Sequence, residues 1–392
     1  MSPSKLKPNG LLLFHCESNT GYAIRNLELA FARAMRLHLG AGGRIFLGYR
    51  SLSGGRSWLL DEHAEEVFEV AYRQSSSAQL ADFSRWLCER NIGSCLAFDL
   101  PVSASINSAL RGGCIQNVVS YWGASISSIY PWLLRPARRL QFLMSKHRPD
   151  VFVFESEGMR ERGVLGSAIP PKRTVVCPIG VDTERYCPSA ETSEYAYNLF
   201  GIPRDRSIVF FSGHMEERKG VHVLIDAFQT IVRRGITDAH LLLVGNTESD
   251  KSRLDGRIID PRLRDYITFG GYRSDISEIH KSVSIGVVAS TGWDSFTVSS
   301  VELASSGIPL IVSDLPGLRE AVDPEVTGRL VRPGDTVGLA DAITELLHDP
   351  QLRRRFGAAA RDRTLRRFTE TSQVDGLVSA LSLAESLGGR GR

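Results

Sequence analysis

Short aliphatic and β-branched runs alternate along the chain with segments of helical periodicity, an order that few architectures accept. In the first half the runs are Leu11–Phe14, Arg44–Tyr49, Cys95–Leu100, Asn117–Tyr121, Val151–Glu155 and Thr174–Pro178. In the second half they are Ile208–Ser212, His240–Val244, Tyr266–Phe269, Ser284–Ala289, Pro309–Ser313 and Gly328–Val331. Each is largely apolar at successive positions, as a parallel strand covered by helices on both faces must be. Between them, Ile24, Leu27, Phe31, Ala34 and Met35 share one helical face after Gly21, and Val221, Leu224, Ile225, Phe228 and Ile231 do so after Gly220. Strands joined by crossover helices predict an α/β chain with parallel, doubly wound sheets.

At 392 residues the chain is long enough for two such domains. The periodicity breaks over Asp182–Pro203 into Pro-, Ser- and Glu-containing sequence, which reads as an interdomain linker. The expected division is a Rossmann-like domain over 1–185 and a second over 186–370. Residues 371–392 are read as a helix, over Phe368–Leu387, taken to cross back to the first domain, with a frayed tail. Doubly wound sheets bind ligands at the carboxyl ends of their strands, so two of them are expected to face each other across a cleft holding the active site.

Composition excludes several classes. Lys+Arg 47 against Asp+Glu 44 leaves a formal +3, too little on this length to argue for nucleic acid. Hydrophobic residues at 42% and charged residues at 23% are those of a globular protein and not of a disordered one. Six scattered cysteines, with no C-x-x-C pair, read as reduced thiols in a cytoplasmic protein and give no metal site. The LLLF run near the N-terminus is too short for a signal-peptide core, and no apolar stretch approaches a membrane span. The segment Trp132–Arg148 carries Arg135, Arg138, Arg139, Lys146, His147 and Arg148 among leucines, Phe142 and Met144, with no acid. It could serve as a basic amphipathic surface for anionic lipid or a lipid-linked acceptor, although such a helix more often buries its apolar face in its own domain.

Two segments carry chemistry. In Ile208–Gly220, IVFFSGHMEERKG, a strand ends at Gly213 and a helix opens at Gly220 with Lys219 at its mouth. Helix N-terminal amides and a lysine point charge make a diphosphate site there, and an ordinary strand–helix turn with a solvated lysine is the other reading. The spacing is not that of a P-loop. In Ser284–Pro309 a strand delivers a loop with Asp294, and a helix from about Thr297 carries Glu302. Amides near Phe296–Val298 would face an anion, and a carboxylate can hold vicinal hydroxyls. Alternatively Asp294 caps the helix and Glu302 meets a surface arginine. No G-x-G-x-x-G follows the first strand, which disfavours a nicotinamide dehydrogenase.

These segments resemble the retaining glycosyltransferase family 4, whose fold is GT-B. The family's G-R-L-x-x-x-K-G element is matched by Gly213-His214-Met215 through Lys219-Gly220, and its E-G-F-G-x-x-x-x-E element by Asp294-Ser295-Phe296-Thr297 through Glu302. Gly307–Glu320 and Thr327–Asp335 match the two following elements; Ser156-Glu157-Gly158-Met159 and Pro178-Ile179-Gly180-Val181-Asp182 resemble segments that close the first domain. The resemblance covers roughly residues 150 to 350. It implies that the first domain takes the acceptor and the second the nucleotide sugar. Lys219, with Arg218 and His214, would meet the donor diphosphate; Glu302 would hold the ribose hydroxyls and Asp294 the donor sugar. Ser295, Phe296, Thr297 and Val298 would offer amides to the phosphates, and Gly21 would let the donor approach the first domain.

The resemblance implies transfer from a nucleotide diphosphate sugar to a carbohydrate or lipid-linked hydroxyl acceptor, without cofactor or metal, as in bacterial cell-surface polysaccharide or glycolipid synthesis. A peripheral contact with the inner face of the membrane is compatible with it. A GT-B nucleotide-sugar 2-epimerase and a non-catalytic nucleotide-sugar-binding protein remain the alternatives. Three positions depart from the pattern: His214 stands for an arginine, Asp294 for a glutamate, and Trp122 for a histidine that precedes a glycine. Trp122 is therefore read either as an acceptor-side stacking residue or as a buried aromatic at a strand end. The nucleobase, sugar, acceptor and oligomeric state are not read from the sequence.

Overall fold

The computed structural model describes residues 8–113, 115–124, 135–189, 193–258, 260–292 and 294–388. The chain divides into two compact units, Met1–Pro178 with Thr371–Arg392, and Ile179–Glu370. The strands of the first are β1 (Asn9–Glu17), β2 (Ile45–Ser51), β3 (Val67–Glu69), β4 (Ile92–Phe98), β5 (Asn117–Trp122), β6 (Val151–Phe154) and β7 (Thr174–Val176). Those of the second are β8 (Ser207–Ser212), β9 (Ala239–Val244), β10 (Ile267–Phe269), β11 (Val283–Val288), β12 (Leu310–Ser313) and β13 (Gly328–Val331). The sheet orders are β3-β2-β1-β4-β5-β6-β7 and β10-β9-β8-β11-β12-β13, with parallel pairing on both sides of β1 and β8. In each sheet the winding reverses once, between β1 and β4 and between β8 and β11. Loops leaving neighbouring strands diverge at such a point and open a crevice at their carboxyl ends.

The apolar runs form these strands because both faces are covered. Leu11, Leu12, Leu13 and Phe14 are all buried, and they alternate between two cores. Leu12 and Phe14 join Phe31 of the helix Gly21–Leu39, while Leu11 and Leu13 meet Phe83 and Leu110 on the other face. β8 repeats the device: Val209 and Phe211 face Leu224 and Phe228 of the helix Val221–Arg233, and Ile208 and Phe210 face Leu303 and Ala304.

The first unit's core is finished by residues far along the chain. In the helix Glu370–Gly388, Val374, Leu377, Ala380, Leu381 and Ala384 pack with Leu12 and Phe14, and Cys177 Sγ donates to Gln373 O at 3.3 Å. Two local features differ from the sequence reading. The stretch Asp182–Pro203, read as a linker, contains a helix, Tyr195–Phe200, whose Ala196 and Tyr197 are buried with Ile208 and Phe210. β3 was not expected: it is a three-residue edge strand, too short to show a run.

Candidate functional site

The winding reversal of the second sheet falls where both chemical motifs lie. After β8 the chain passes Gly213, exposed His214 and buried Met215, makes a short turn over Glu217–Lys219, and enters the helix Val221–Arg233 at Gly220. After β11 it passes Ala289–Gly292 and Asp294–Phe296, and Thr297 caps the helix Val298–Ser305 by accepting from Ser300 N. The two loops are stitched together by the Thr291 and Gly292 amides, which donate to Arg218 O at 2.8 and 3.3 Å. Gly220 permits this approach. Its φ is +67°, and a Cβ there would lie 1.8 Å from Ala289 O. Gly245, at φ +104°, also brings the loop after β9 close, since a Cβ there would lie 2.4 Å from Gly213 O.

Side chains 75 residues apart thereby meet. Lys219 Nζ donates to both carboxylate oxygens of Asp294, at 2.9 and 2.8 Å. Ser290 Oγ donates to Asp294 Oδ2 at 2.6 Å, and Arg218 reaches Oδ1 at 3.5 Å while its Nε bonds Glu216 at 2.7 Å. The Asp294 side chain is 4% exposed and that of Lys219 is 17% exposed. The carboxylate is held inside, and the ammonium remains reachable by a ligand. Asp294 does not cap the helix; Thr297 does. Phe296 is an anchor, its ring buried with Val301 and Phe368 at 5.0 Å between the two rings, so its backbone is what it can offer a ligand. The amides of Val298 and Ser299, in the first turn, have no intrahelical acceptor. Glu302 sits in the second turn and is buried.

His214 lines a groove of about 450 Å³ with Met215, Glu216, Glu217, Gly245, Thr247, Asp250 and Arg253. Arg253 donates to Met215 O at 2.6 Å and so ties this loop to the helix Glu248–Asp255. Neither Arg253 nor Ser290 was singled out by the sequence. Ser290 stands four residues before Asp294, a spacing visible only in hindsight, and nothing in sequence marks Arg253.

In the first unit Gly21, at φ +54°, opens the helix Gly21–Leu39 beside the winding reversal of that sheet. Trp122 is 8% exposed and packs with Phe142, Phe152, Phe154 and Met159, the surroundings of a core aromatic and not of an open stacking face. The same edge holds a carboxylate that sequence reading passed over. Asp99 directly follows β4 at φ +51°, gives its N–H to Tyr121 O at 2.7 Å, and accepts from the Gly123 N–H at 3.0 Å. Burial pushes its carboxyl up to about 7, against the opposing effect of the Gly123 and Ala124 amides. His15, with its ring 5.0 Å from Phe98, is pushed the other way by burial, which disfavours its charged form.

The raised Asp99 pKa has a definite sign. Between about pH 4 and 7 the folded chain keeps a proton that the unfolded chain has lost, so this group's contribution to stability falls as pH rises through that window. Asp99→Asn is expected to remove that part of the slope, on the order of 1 to 4 kcal/mol across the window. Urea unfolding of both proteins at several pH values checks this; parallel profiles would refute it.

Residues 198–363 match the family model of glycosyl transferases group 1. Over 176 residues the chain is 32% identical to a phosphatidyl-myo-inositol mannosyltransferase of Mycobacterium leprae, a match covering 44% of this chain and 46% of that protein. The chain thus spans about half the length of the curated relatives it matches. Among solved structures it is similar to a glycosyltransferase from Rickettsia africae, with a TM-score of 0.79 at 16% identity over 98% of this chain and 100% of that one. It is similar also to Anabaena HepE in complex with UDP, with a TM-score of 0.78 at 19% identity over 95% and 99%. These likenesses establish the GT-B fold.

Proposed function

We propose, from the premise that residues 198–363 make the second unit a group 1 glycosyltransferase domain, that the chain moves a sugar from a nucleotide diphosphate sugar to a hydroxyl acceptor with retention of configuration. The observation that carries this reading is the meeting of Lys219, Arg218 and Asp294 at the winding reversal, beside first-turn amides of the helix Val298–Ser305. The leaving group is a nucleoside diphosphate, and its charge grows as the sugar departs. Fixed cations and amides that need no rearrangement stabilise that growth most. Lys219 and Arg218 supply the cations, Glu302 accepts from the ribose hydroxyls, and Asp294 accepts from hydroxyls of the sugar.

In the proposed step the acceptor oxygen bonds to the anomeric carbon on the face from which the phosphate leaves. The carbon–oxygen bond to the phosphate breaks, and a phosphate oxygen takes the acceptor's proton. The products are the glycoside and the nucleoside diphosphate, and no side chain has to act as base. The setting we infer is the assembly of a cell-surface polysaccharide or glycolipid.

Thermal-shift screening against uridine, guanosine and adenosine diphosphates and their sugars names the donor. Release of the diphosphate on adding an acceptor then tests transfer. Sugar isomerisation without acceptor would replace this reading with an epimerase, and binding without turnover over a broad acceptor panel would replace it with a binding protein.

A further inference from the structure

The helix Arg135–Met144 and the turn after it present an arrangement that sugar transfer leaves unused. One side is fixed to the first unit. Phe142 is buried, 6.2 Å from the Phe152 ring; Ser145 Oγ donates to Val102 O at 3.1 Å; Arg148 donates to Leu143 O at 3.3 Å and Ser145 O at 2.6 Å, and covers the Phe142 ring at 4.8 Å. The other side is open. Leu140, Leu143 and Met144 are 58%, 55% and 70% exposed. Their i, i+3, i+4 spacing puts them on one stripe, and at about 100° per residue Phe142 lies well around the helix from Leu140 and Met144. Residues 132–134 of the basic segment lie outside the described residues; in the rest, the expectation that the helix buries its apolar face in its own domain is met by Phe142 and not by this stripe.

The other exposed large apolar residues among those described are scattered; no other stretch of five places three together. Clustered exposure of this kind marks a contact surface. The charge around it specifies the partner. Arg139 is exposed one turn before Leu143, Lys146 is exposed in the turn that follows the helix, and no acid occurs from 135 to 148. An apolar stripe flanked by cations fits a surface that offers hydrocarbon beneath anionic groups. Among the described residues no helix is long and apolar enough to cross a membrane, and docking from the side needs none.

We propose that this helix docks on an anionic lipid bilayer, with Leu140, Leu143 and Met144 entering the acyl boundary and Arg139 and Lys146 meeting the headgroup phosphates. So small a patch gives reversible, salt-sensitive binding. The proposal does not depend on the sugar-transfer reading.

The full chain is sedimented with vesicles of phosphatidylcholine alone and of phosphatidylcholine with phosphatidylglycerol. Binding is expected to the mixed vesicles, about tenfold weaker to the neutral ones and weakened similarly by high salt. The variant Leu140→Gln/Leu143→Gln/Met144→Gln and the variant Arg139→Glu/Lys146→Glu should each lower partitioning about tenfold or more. Their melting temperatures and nucleoside diphosphate affinities should not change, because the substituted side chains lie in solvent. Any of three results overturns the proposal: no binding to mixed vesicles, equal binding to neutral vesicles, or variants that bind as the unmodified chain does. If the apolar variant instead converts an oligomer to a monomer without affecting vesicles, a second copy of the chain is the occupant and the proposal fails.

Discussion

Lys219→Ala is expected to lose roughly ten- to a hundredfold in affinity for a nucleoside diphosphate, while Asp294→Asn keeps or improves that affinity and loses turnover. The scale follows from a charge-assisted hydrogen bond, about 1.5 to 3 kcal/mol. The opposite signs follow from the geometry. The ammonium spends two hydrogen bonds on Asp294, so a diphosphate has to draw it away from a carboxylate. Asparagine at 294 keeps the shape and removes the competing charge, which leaves the lysine more available. It also removes the acceptor proposed for the sugar hydroxyls, so binding of the product and turnover of the substrate separate. Alanine at 219 additionally strands a carboxylate that is 4% exposed, with Ser290 and the more distant Arg218 as its remaining partners. Such stranding costs stability, though less than in a dry core because Lys219 lies partly in water. Calorimetry with UDP and GDP and a turnover assay read both variants. Unchanged affinity in Lys219→Ala would remove the diphosphate assignment; equal losses in both variants would remove the competition between carboxylate and phosphate.

Gly220→Ala should be among the most damaging single substitutions in the second unit. The residue needs φ +67°, which costs a β-carbon-bearing residue about 1 to 2 kcal/mol. Its methyl would also meet the Ala289 carbonyl oxygen at 1.8 Å, so one backbone segment has to move. Overpacking against backbone adds about 1 to 3 kcal/mol, giving about 2 to 5 kcal/mol in all. Because the displaced segment carries Ser290, Thr291 and Gly292, the shift would also separate Lys219 from Asp294. Loss of melting temperature should therefore accompany loss of nucleoside diphosphate binding. Gly21→Ala is the control: φ is +54° there, but nothing lies within 4 Å of the added carbon, so only the smaller backbone cost applies. A Gly220→Ala protein as stable as the control would refute the close approach of the two loops.

The strands were legible because a parallel sheet covered on both faces writes itself as continuous apolar runs, and runs such as LLLF and IVFF, bounded by turn residues, are too short for buried helices. What is short or half-exposed writes little: β3 and the helix Tyr195–Phe200 lacked the length to show a pattern. At the site, the residue types and their order along the chain were readable, and so were the strand–helix turns that hold them. The contact between Lys219 and Asp294 was not, because it depends on β8 and β11 being neighbours, which no local spacing encodes. Asp99 illustrates a second limit. Its raised pKa comes from burial beneath a loop more than twenty residues away, whose amides only partly offset it, and an aspartate before a leucine and a proline gives no hint of that. The segment around Phe142 shows a third. Helical periodicity identifies an apolar side, but whether that side meets protein or solvent depends on neighbours the helix itself does not specify.

The return of the helix Glu370–Gly388 to the first unit bears on synthesis. A chain emerging from the ribosome can finish the core of the second unit once residue 370 has appeared. The first unit, although translated earlier, must wait with Leu12 and Phe14 incompletely covered until Leu377, Leu381 and Ala384 arrive. Its nascent form is thus the longer-lived exposure of apolar surface, and the order of completion runs opposite to the order of translation.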